Sequence, residues 1–284
     1  MSSQVYPSFV FVNGLLLPQI EAAFPVNDLA VLRGYGVFDF FLVKDGHPCF
    51  FEDHWARLQH SATTLNLRIP FGGEDLLRMV RLLHQKMPYP FAGCRITLTG
   101  GCSPDGYLPG EAPNSLVTLN ALPFFSESMD PEGIGLMTHA YRRPYPAVKS
   151  IDYLSGIMML PIARQMGFDE VLFVENGVVS ECPRSNVFAM TADGVLITPG
   201  QNVLKGITRK KILQHARQMV KVEEREVKLQ DLLDAKEVFI SSTTKGIWPV
   251  KNIDGHLIGP GGNGEITGKL YGHLLAELKG LHQG

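Results

Sequence analysis

The hydrophobic pattern near the start of the chain has a period of two, broken by turn residues. Phe9–Val12, the pair Asn13-Gly14 and residues 15–17 read as two strands joined by a tight turn, because Asn and Gly accept the left-handed backbone of a short hairpin. Residues 38–43, the triplet Lys44-Asp45-Gly46 and residues 47–51 predict a second hairpin. The period then lengthens. Trp55, Leu58, Ala62 and Leu65 recur every three or four residues and predict a helix over 51–66. Residues 74–85 repeat that spacing and end before Pro88 and Pro90. Residues 95–99 and 115–119 read as strands around a glycine-rich loop at 100–110.

Residues 121–133, ALPFFSESMDPEG, carry two prolines among small polar residues and read as a linker. Beyond it the pattern restarts with a strand at 134–140 and a helix at about 152–166. Strands follow at 170–174, 178–180, 185–190 and 195–198, then a helix at 208–220, a strand at 238–241 and a terminal helix at 266–278. The class is therefore α+β in two domains: a small N-terminal α/β domain, 1–120, and a larger C-terminal domain, 134–284.

Composition narrows the partners. Lys plus Arg is 26 and Asp plus Glu 28, a net charge of −2, which implies no basic face for nucleic acid or an anionic membrane. A small-molecule partner fits better. The four cysteines, Cys49, Cys94, Cys102 and Cys182, show no CxxC spacing, so neither a zinc ribbon nor a disulfide framework is expected and a cytoplasmic location is. The N-terminus has no basic stretch ahead of its apolar residues and does not read as a signal peptide. The apolar stretch at 153–163 is interrupted by Ser155, Gly156 and Pro161 and is too short to span a bilayer.

Two patterns mislead. Gly259, Gly261 and Gly264 fit the letters GxGxxG, but too little chain follows for the strand–helix–strand unit that a dinucleotide site needs. Lys205-Gly206-Ile207-Thr208 shares residue types with a P-loop without its spacing, and no HExxH pair suggests a metal hydrolase.

The informative stretches are Val148-Lys149-Ser150-Ile151-Asp152-Tyr153-Leu154 and Ser180-Glu181-Cys182-Pro183-Arg184-Ser185-Asn186-Val187-Phe188. Alone, Lys149 and Glu181 would each read as solvated surface charges. Three other segments accompany them in order: His54-Trp55-Ala56-Arg57-Leu58, Gly206-Ile207-Thr208-Arg209 and Ser241-Ser242-Thr243-Thr244. Together, over about residues 12–278, they resemble the class IV aminotransferases, enzymes of pyridoxal 5′-phosphate (PLP) fold type IV. That group includes branched-chain and D-amino acid aminotransferases and aminodeoxychorismate lyases.

The resemblance implies a small α/β domain and a larger, mixed β-barrel-like domain with helices, a homodimer, and PLP as cofactor. It implies Lys149 as the Schiff-base lysine and catalytic base, and Glu181 as the carboxylate on the pyridine nitrogen. Those residue types suit the chemistry: the cofactor ring accepts electrons best when its nitrogen is protonated, and a carboxylate stabilises that cation. By the same matching, Arg57, the backbone N–H groups of Ile207 and Thr208, and the hydroxyls of Ser242 and Thr243 would bind the phosphate. Tyr153 would reach the cofactor's phenolic oxygen, and Phe38, Gly100 and Thr244 would line the substrate pocket.

The implied activity is transfer of an amino group between an amino acid and a 2-oxo acid, with branched-chain or similar apolar amino acids favoured. Gly36-Val37-Phe38-Asp39 resembles the family's "G-x-x-F-E" strand, and Phe38, Phe40 and Leu42 suit an apolar substrate. D-Amino acid enzymes carry two arginines in "T-R-G-x-S-P-R"; here Thr99-Gly100-Gly101-Cys102-Ser103-Pro104-Asp105 has neither. The branched-chain enzymes usually have an arginine where Leu42 stands and one more residue between lysine and tyrosine. Pyruvate elimination, as in the lyases, and transamination of D-amino acids are the rival outcomes, and a non-catalytic PLP-binding protein is a further alternative.

Overall fold

The computed structural model describes residues 8–123, 129 and 132–280. Residues 1–7 and the middle of the expected linker at 121–133 lie outside the described residues. By internal contacts the chain forms two compact units, Met1–Phe124 with Val148–Asp152, and Phe125–Ala147 with Tyr153–Gly284. The segment Val148–Asp152 thus follows the expected linker in sequence yet packs with the first unit.

The first unit is built on a six-stranded antiparallel sheet. Its strands are β1 (Phe9–Val12), β2 (Leu15–Pro18), β3 (Gly36–Lys44), β4 (His47–Pro48), β5 (Phe91–Thr99) and β6 (Ser115–Ala121), in the order β2-β1-β6-β5-β3-β4. Asn13 and Gly14 turn β1 into β2 with φ of 50° and 80°. A short helix α1 (Leu29–Arg33) precedes β3, and helices α2 (Phe51–Thr64) and α3 (Gly73–Lys86) separate β4 from β5. Val37, Phe41 and Val43 of β3 are buried with Leu58 and Ala62 of α2 and Leu76, Val80 and Leu83 of α3. Side chains alternate along a strand, so Phe38, Phe40 and Leu42 lie on the face away from these helices.

The second unit carries a ten-stranded sheet. Its strands are β7 (Ile134–His139), β8 (Glu170–Glu175), β9 (Val178–Val179), β10 (Asn186–Met190), β11 (Val195–Pro199), β12 (Lys221–Arg225), β13 (Val227–Lys228), β14 (Glu237–Ser242), β15 (Gly246–Ile253) and β16 (His256–Leu257). The order is β12-β11-β10-β14-β15-β7-β8-β9-β13, with β16 paired to β15. The last strand, β13, returns close to β11, so the sheet is nearly a barrel. Helices α4 (Leu154–Gln165), α5 (Ile207–Ala216), α6 (Leu229–Leu233) and α7 (Glu265–Gly280) complete the unit. Leu136, Leu172, Val187, Ile197, Val238 and Ile240 share its core.

Several elements depart from the hydrophobic pattern. α5 stops at Ala216, short of the expected 220. β4 ends at Pro48, and Phe50, at φ 54°, reverses the chain into α2. β15 contains Pro249, which ordinarily argues against an interior strand. Pro249 stands in register with Phe239 of β14, while pairing to β7 begins only at Val250. The glycines at 259, 261 and 264 lie in the loop before α7 and open no nucleotide fold.

Candidate active site

In the first unit, Val148–Asp152 runs as an extended segment beside the start of β3. Val37 and Ser150 form an antiparallel bridge. The Phe38 N–H donates to the Lys149 carbonyl at 2.9 Å, and the Ile151 N–H donates to the Gly36 carbonyl at 3.1 Å. The Lys149 N–H donates in turn to Oγ of Ser61, a buried residue of α2, at 3.1 Å. Both sides of the Lys149 backbone are therefore held. Gly36 permits this approach, since a Cβ there would stand 2.6 Å from the Leu98 carbonyl oxygen and 3.0 Å from Ile151 Cδ1.

The Lys149 side chain is half-buried, and its Nζ lies 4.6 Å from the centre of the Phe38 ring. The Arg95 guanidinium lies 4.4 Å from that ring and 5.7 Å from the Phe40 ring. Aromatic faces attract cations, so Phe38 helps to place both. No motif singles out Arg95. The signal that reveals it is register: in β5 it stands opposite Phe40, on the face away from α2 and α3.

Arg57 sits one strand position from this face, through a buried ion pair. Its Nε donates to Asp39 Oδ2 and its Nη2 to Asp39 Oδ1, both at 2.8 Å, while His54 Nδ1 is 2.7 Å from Oδ1. Asp39 is fully buried. Burial alone would raise its pKa, but the Arg57 charge and the hydrogen bonds from Arg57 and His54 hold it well below the usual carboxylate range. His54 moves down from its ordinary value, first through burial and then through the charges of Arg57 and Lys149, with Asp39 opposing. A neutral His54 donating from Nδ1 to the carboxylate satisfies this balance. With one edge of the guanidinium locked on Asp39, the Nη1 side is the edge left to meet an anion.

In the second unit, Glu181 follows β9 and is 5% exposed. The Phe173 N–H holds its carbonyl at 2.9 Å. Arg143 Nε donates to Oε1 at 2.7 Å and the Leu204 N–H to Oε2 at 3.0 Å. Arg143 also donates to the Pro146 carbonyl. No sequence motif points to Arg143, because the partner of a buried carboxylate is visible only once the chain has folded.

Leu204 leads into α5. Asn186 Nδ2 donates to the Leu204 carbonyl at 2.8 Å, and a Cβ on Gly206 would stand 2.3 Å from Asn186 Oδ1. Glycine at 206 therefore lets the loop press against β10. Ile207 and Thr208 open α5 with no side-chain cap, leaving backbone N–H groups at a helix start. Across the sheet, β14 ends at Ser242, Thr243 and Thr244 form the turn into β15, and the Lys245 N–H donates to Ser242 Oγ at 3.2 Å. Tyr153 is half-buried at the start of α4, and Thr244 is exposed. Gly100, in the first unit, is buried, and a Cβ there would lie 2.4 Å from the Tyr35 ring.

Among the described residues of the second unit, three hydroxyls, Ser155 Oγ on α4, Ser185 Oγ and Ser241 Oγ, are buried without a hydrogen-bond partner. Ser185 follows Glu181 by a tight turn and Ser241 precedes Ser242. Buried polar atoms are nearly always paired, so Ser185 and Ser241, beside Glu181 and Ser242, are open to a polar ligand. A buried carboxylate, an uncapped helix start and a row of hydroxyls on one unit fit a group with a basic ring nitrogen and a phosphate.

Comparison with known proteins agrees with this chemistry. The model of the amino-transferase class IV family matches residues 36–253. A putative branched-chain-amino-acid aminotransferase of Methanocaldococcus jannaschii is 33% identical over 270 residues, spanning 92% of this chain and 93% of that protein. A D-alanine aminotransferase of Bacillus licheniformis is 29% identical over 91% of this chain and 93% of its own length. Among solved structures, the T.th. branched-chain amino acid aminotransferase with pyridoxamine 5′-phosphate superposes with a TM-score of 0.90 at 25% identity, covering 99% of this chain and 97% of that one. That of Escherichia coli gives 0.85 at 26% identity, over 97% and 94%. With a match of that extent, the chain belongs to the class IV aminotransferases, transaminases that work with pyridoxal 5′-phosphate.

Proposed function

We propose that this enzyme moves the amino group of an L-amino acid with an apolar, branched side chain to a 2-oxo acid. The carrying observation is the face of β3 that presents Phe38, Phe40 and Leu42, with the Lys149 amine 4.6 Å from the Phe38 ring. Arg95, over the same ring, is the cation suited to a substrate carboxylate. An arginine at position 100, as the D-amino acid pattern has, would collide with the Tyr35 ring. At the other arginine position, Asp105 instead accepts the N–H groups of Tyr107 and Leu108 at 2.9 and 2.8 Å. Both observations favour the L-specific reading over the D-specific one.

When bound, PLP supplies an aldehyde that captures amino groups and a ring that accepts the electrons of the broken α-carbon bond. Lys149 Nζ would hold that aldehyde and, when free, would serve as the base that takes the α-proton and gives it back. Glu181, held by Arg143 and Leu204, would be the carboxylate for the pyridine nitrogen. Arg57, the N–H groups of Ile207 and Thr208, and the hydroxyls of Ser242 and Thr243 would hold the phosphate; Tyr153 would hold the phenolic oxygen; Gly100 and Thr244 would border the substrate. Water would then release the 2-oxo acid and leave the amino group on the cofactor for a second oxo acid to collect.

The same proposal includes a homodimer. Leu154, Ile157, Met158, Ile162 and Met166 form a stripe along and just past α4 and are 44–68% exposed. Exposed apolar stripes of this kind mark association surfaces. Free cysteines throughout suit the cytoplasm. No described helix is long and apolar enough to cross a membrane.

The test is a half-reaction screen. Purified enzyme is mixed with single amino acids while the absorbance of the cofactor is followed to its amine form. L-leucine, L-isoleucine and L-valine are expected to convert it. Conversion by D-alanine but by none of these three would overturn the substrate assignment.

A further inference from the structure

Lys245 stands two residues after Thr243 and is unlike anything the assigned reaction requires. Its side chain is 12% exposed, and its Nζ lies 2.6 Å from Oε2 of Glu170, itself 2% exposed at the start of β8. Lys245 Nζ also lies 5.0 Å from the Trp248 ring centre, so the ammonium is held from a second side. Arg184, in the turn that follows Glu181, places Nη2 at 3.5 Å from the same Glu170 oxygen. Cys182 lies among these charges: burial pushes its thiol well up, with Glu170 and Glu181 adding to the rise and Lys245 opposing it.

We propose that Lys245 is a positioning residue for the cofactor phosphate: through Glu170 it ties the Thr243–Thr244 turn to β8 and to the turn that follows Glu181. This rests on the assignment of Ser242 and Thr243 to the phosphate. Within the turn itself, the Lys245 N–H on Ser242 Oγ is a single neutral hydrogen bond, a weak restraint beside a buried ion pair. A charge buried on both partners is costly to break, so the pair fixes where the turn sits more firmly than a surface pair would. Lys245 touches no reacting atom in this scheme; it acts on the phosphate only through the backbone that carries Ser242 and Thr243.

The experiment titrates the cofactor-free full chain with PLP and with pyridoxal, which lacks the phosphate, and reads binding by absorbance. The natural chain should prefer PLP strongly. Lys245→Met should weaken PLP about tenfold, as loss of an outer support commonly does, and leave pyridoxal unchanged. Lys245→Arg, which keeps the ion pair, should restore most of the preference. If Lys245→Met folds poorly, the double variant Glu170→Gln/Lys245→Met removes both charges and should show the same phosphate-specific loss. An unchanged PLP preference in these variants would overturn the inference, as would equal weakening of PLP and pyridoxal. A natural chain that binds PLP no better than pyridoxal would instead sink the phosphate assignment itself.

Discussion

At the scale of single residues, the site depends on charges held by other charges. Asp39 shows the logic. Its carboxyl is ionised far below its usual range because Arg57 and His54 face it in a buried pocket. A carboxylate with a depressed native pKa stabilises the fold above its unfolded value of about 4, and that contribution is lost as pH falls through the native value. Asp39→Asn should therefore lose about 3–5 kcal/mol at pH 7 by stranding Arg57. Its deficit against the natural chain should shrink as the pH is lowered below about 4. Denaturant melts at a series of pH values check this, and a deficit independent of pH would contradict it. Arg143→Met should release the Glu181 carboxylate and lower kcat about tenfold, with KM little changed. A change confined to KM would show that Arg143 serves substrate binding instead.

The residue roles differ in how far sequence reveals them. Lys149, Glu181 and Arg57 lie in segments whose order and spacing carry a resemblance, so each is a candidate without coordinates. Arg143, Arg95 and Lys245 are not. Each acts on a neighbour distant in sequence: Arg143 on Glu181, Arg95 on Phe38, Lys245 on Glu170. Nothing in a one-dimensional pattern marks such pairs.

Among the elements, the hydrophobic period marks what buries a full face and misses what does not. α2 and α3 follow their stripes closely, since Leu58, Leu76, Val80 and Leu83 meet one core. β12, with the sequence KVEER, lies at the sheet's edge and shows no apolar alternation, so it is silent in sequence. β15 is concealed by Pro249. Two glycines, Gly36 and Gly206, set how closely elements approach. Gly206→Ala should force Asn186 away from the Leu204 carbonyl, at a cost of about 1–3 kcal/mol for the crowding. Because the strain falls on the start of α5, PLP retention on dialysis should suffer as well. A variant that melts and retains cofactor like the natural chain would show that the loop does not need this contact.

For the whole molecule, two compact units are each explained by their own core, one behind the six-stranded sheet and one within the nearly closed ten-stranded sheet. What neither core explains is the apolar stripe on α4. A second copy covering it predicts a dimer in sedimentation velocity, and Ile157→Asp should shift the population toward monomer. A natural chain that sediments as a monomer at micromolar concentration would refute that. The most direct measurement for the account as a whole is chemical. The purified holoenzyme is reduced with borohydride, digested, and its phosphopyridoxyl peptide located by mass spectrometry. The account predicts one label, on Lys149; a label on any other lysine, or none on a protein that retains its cofactor, would contradict it.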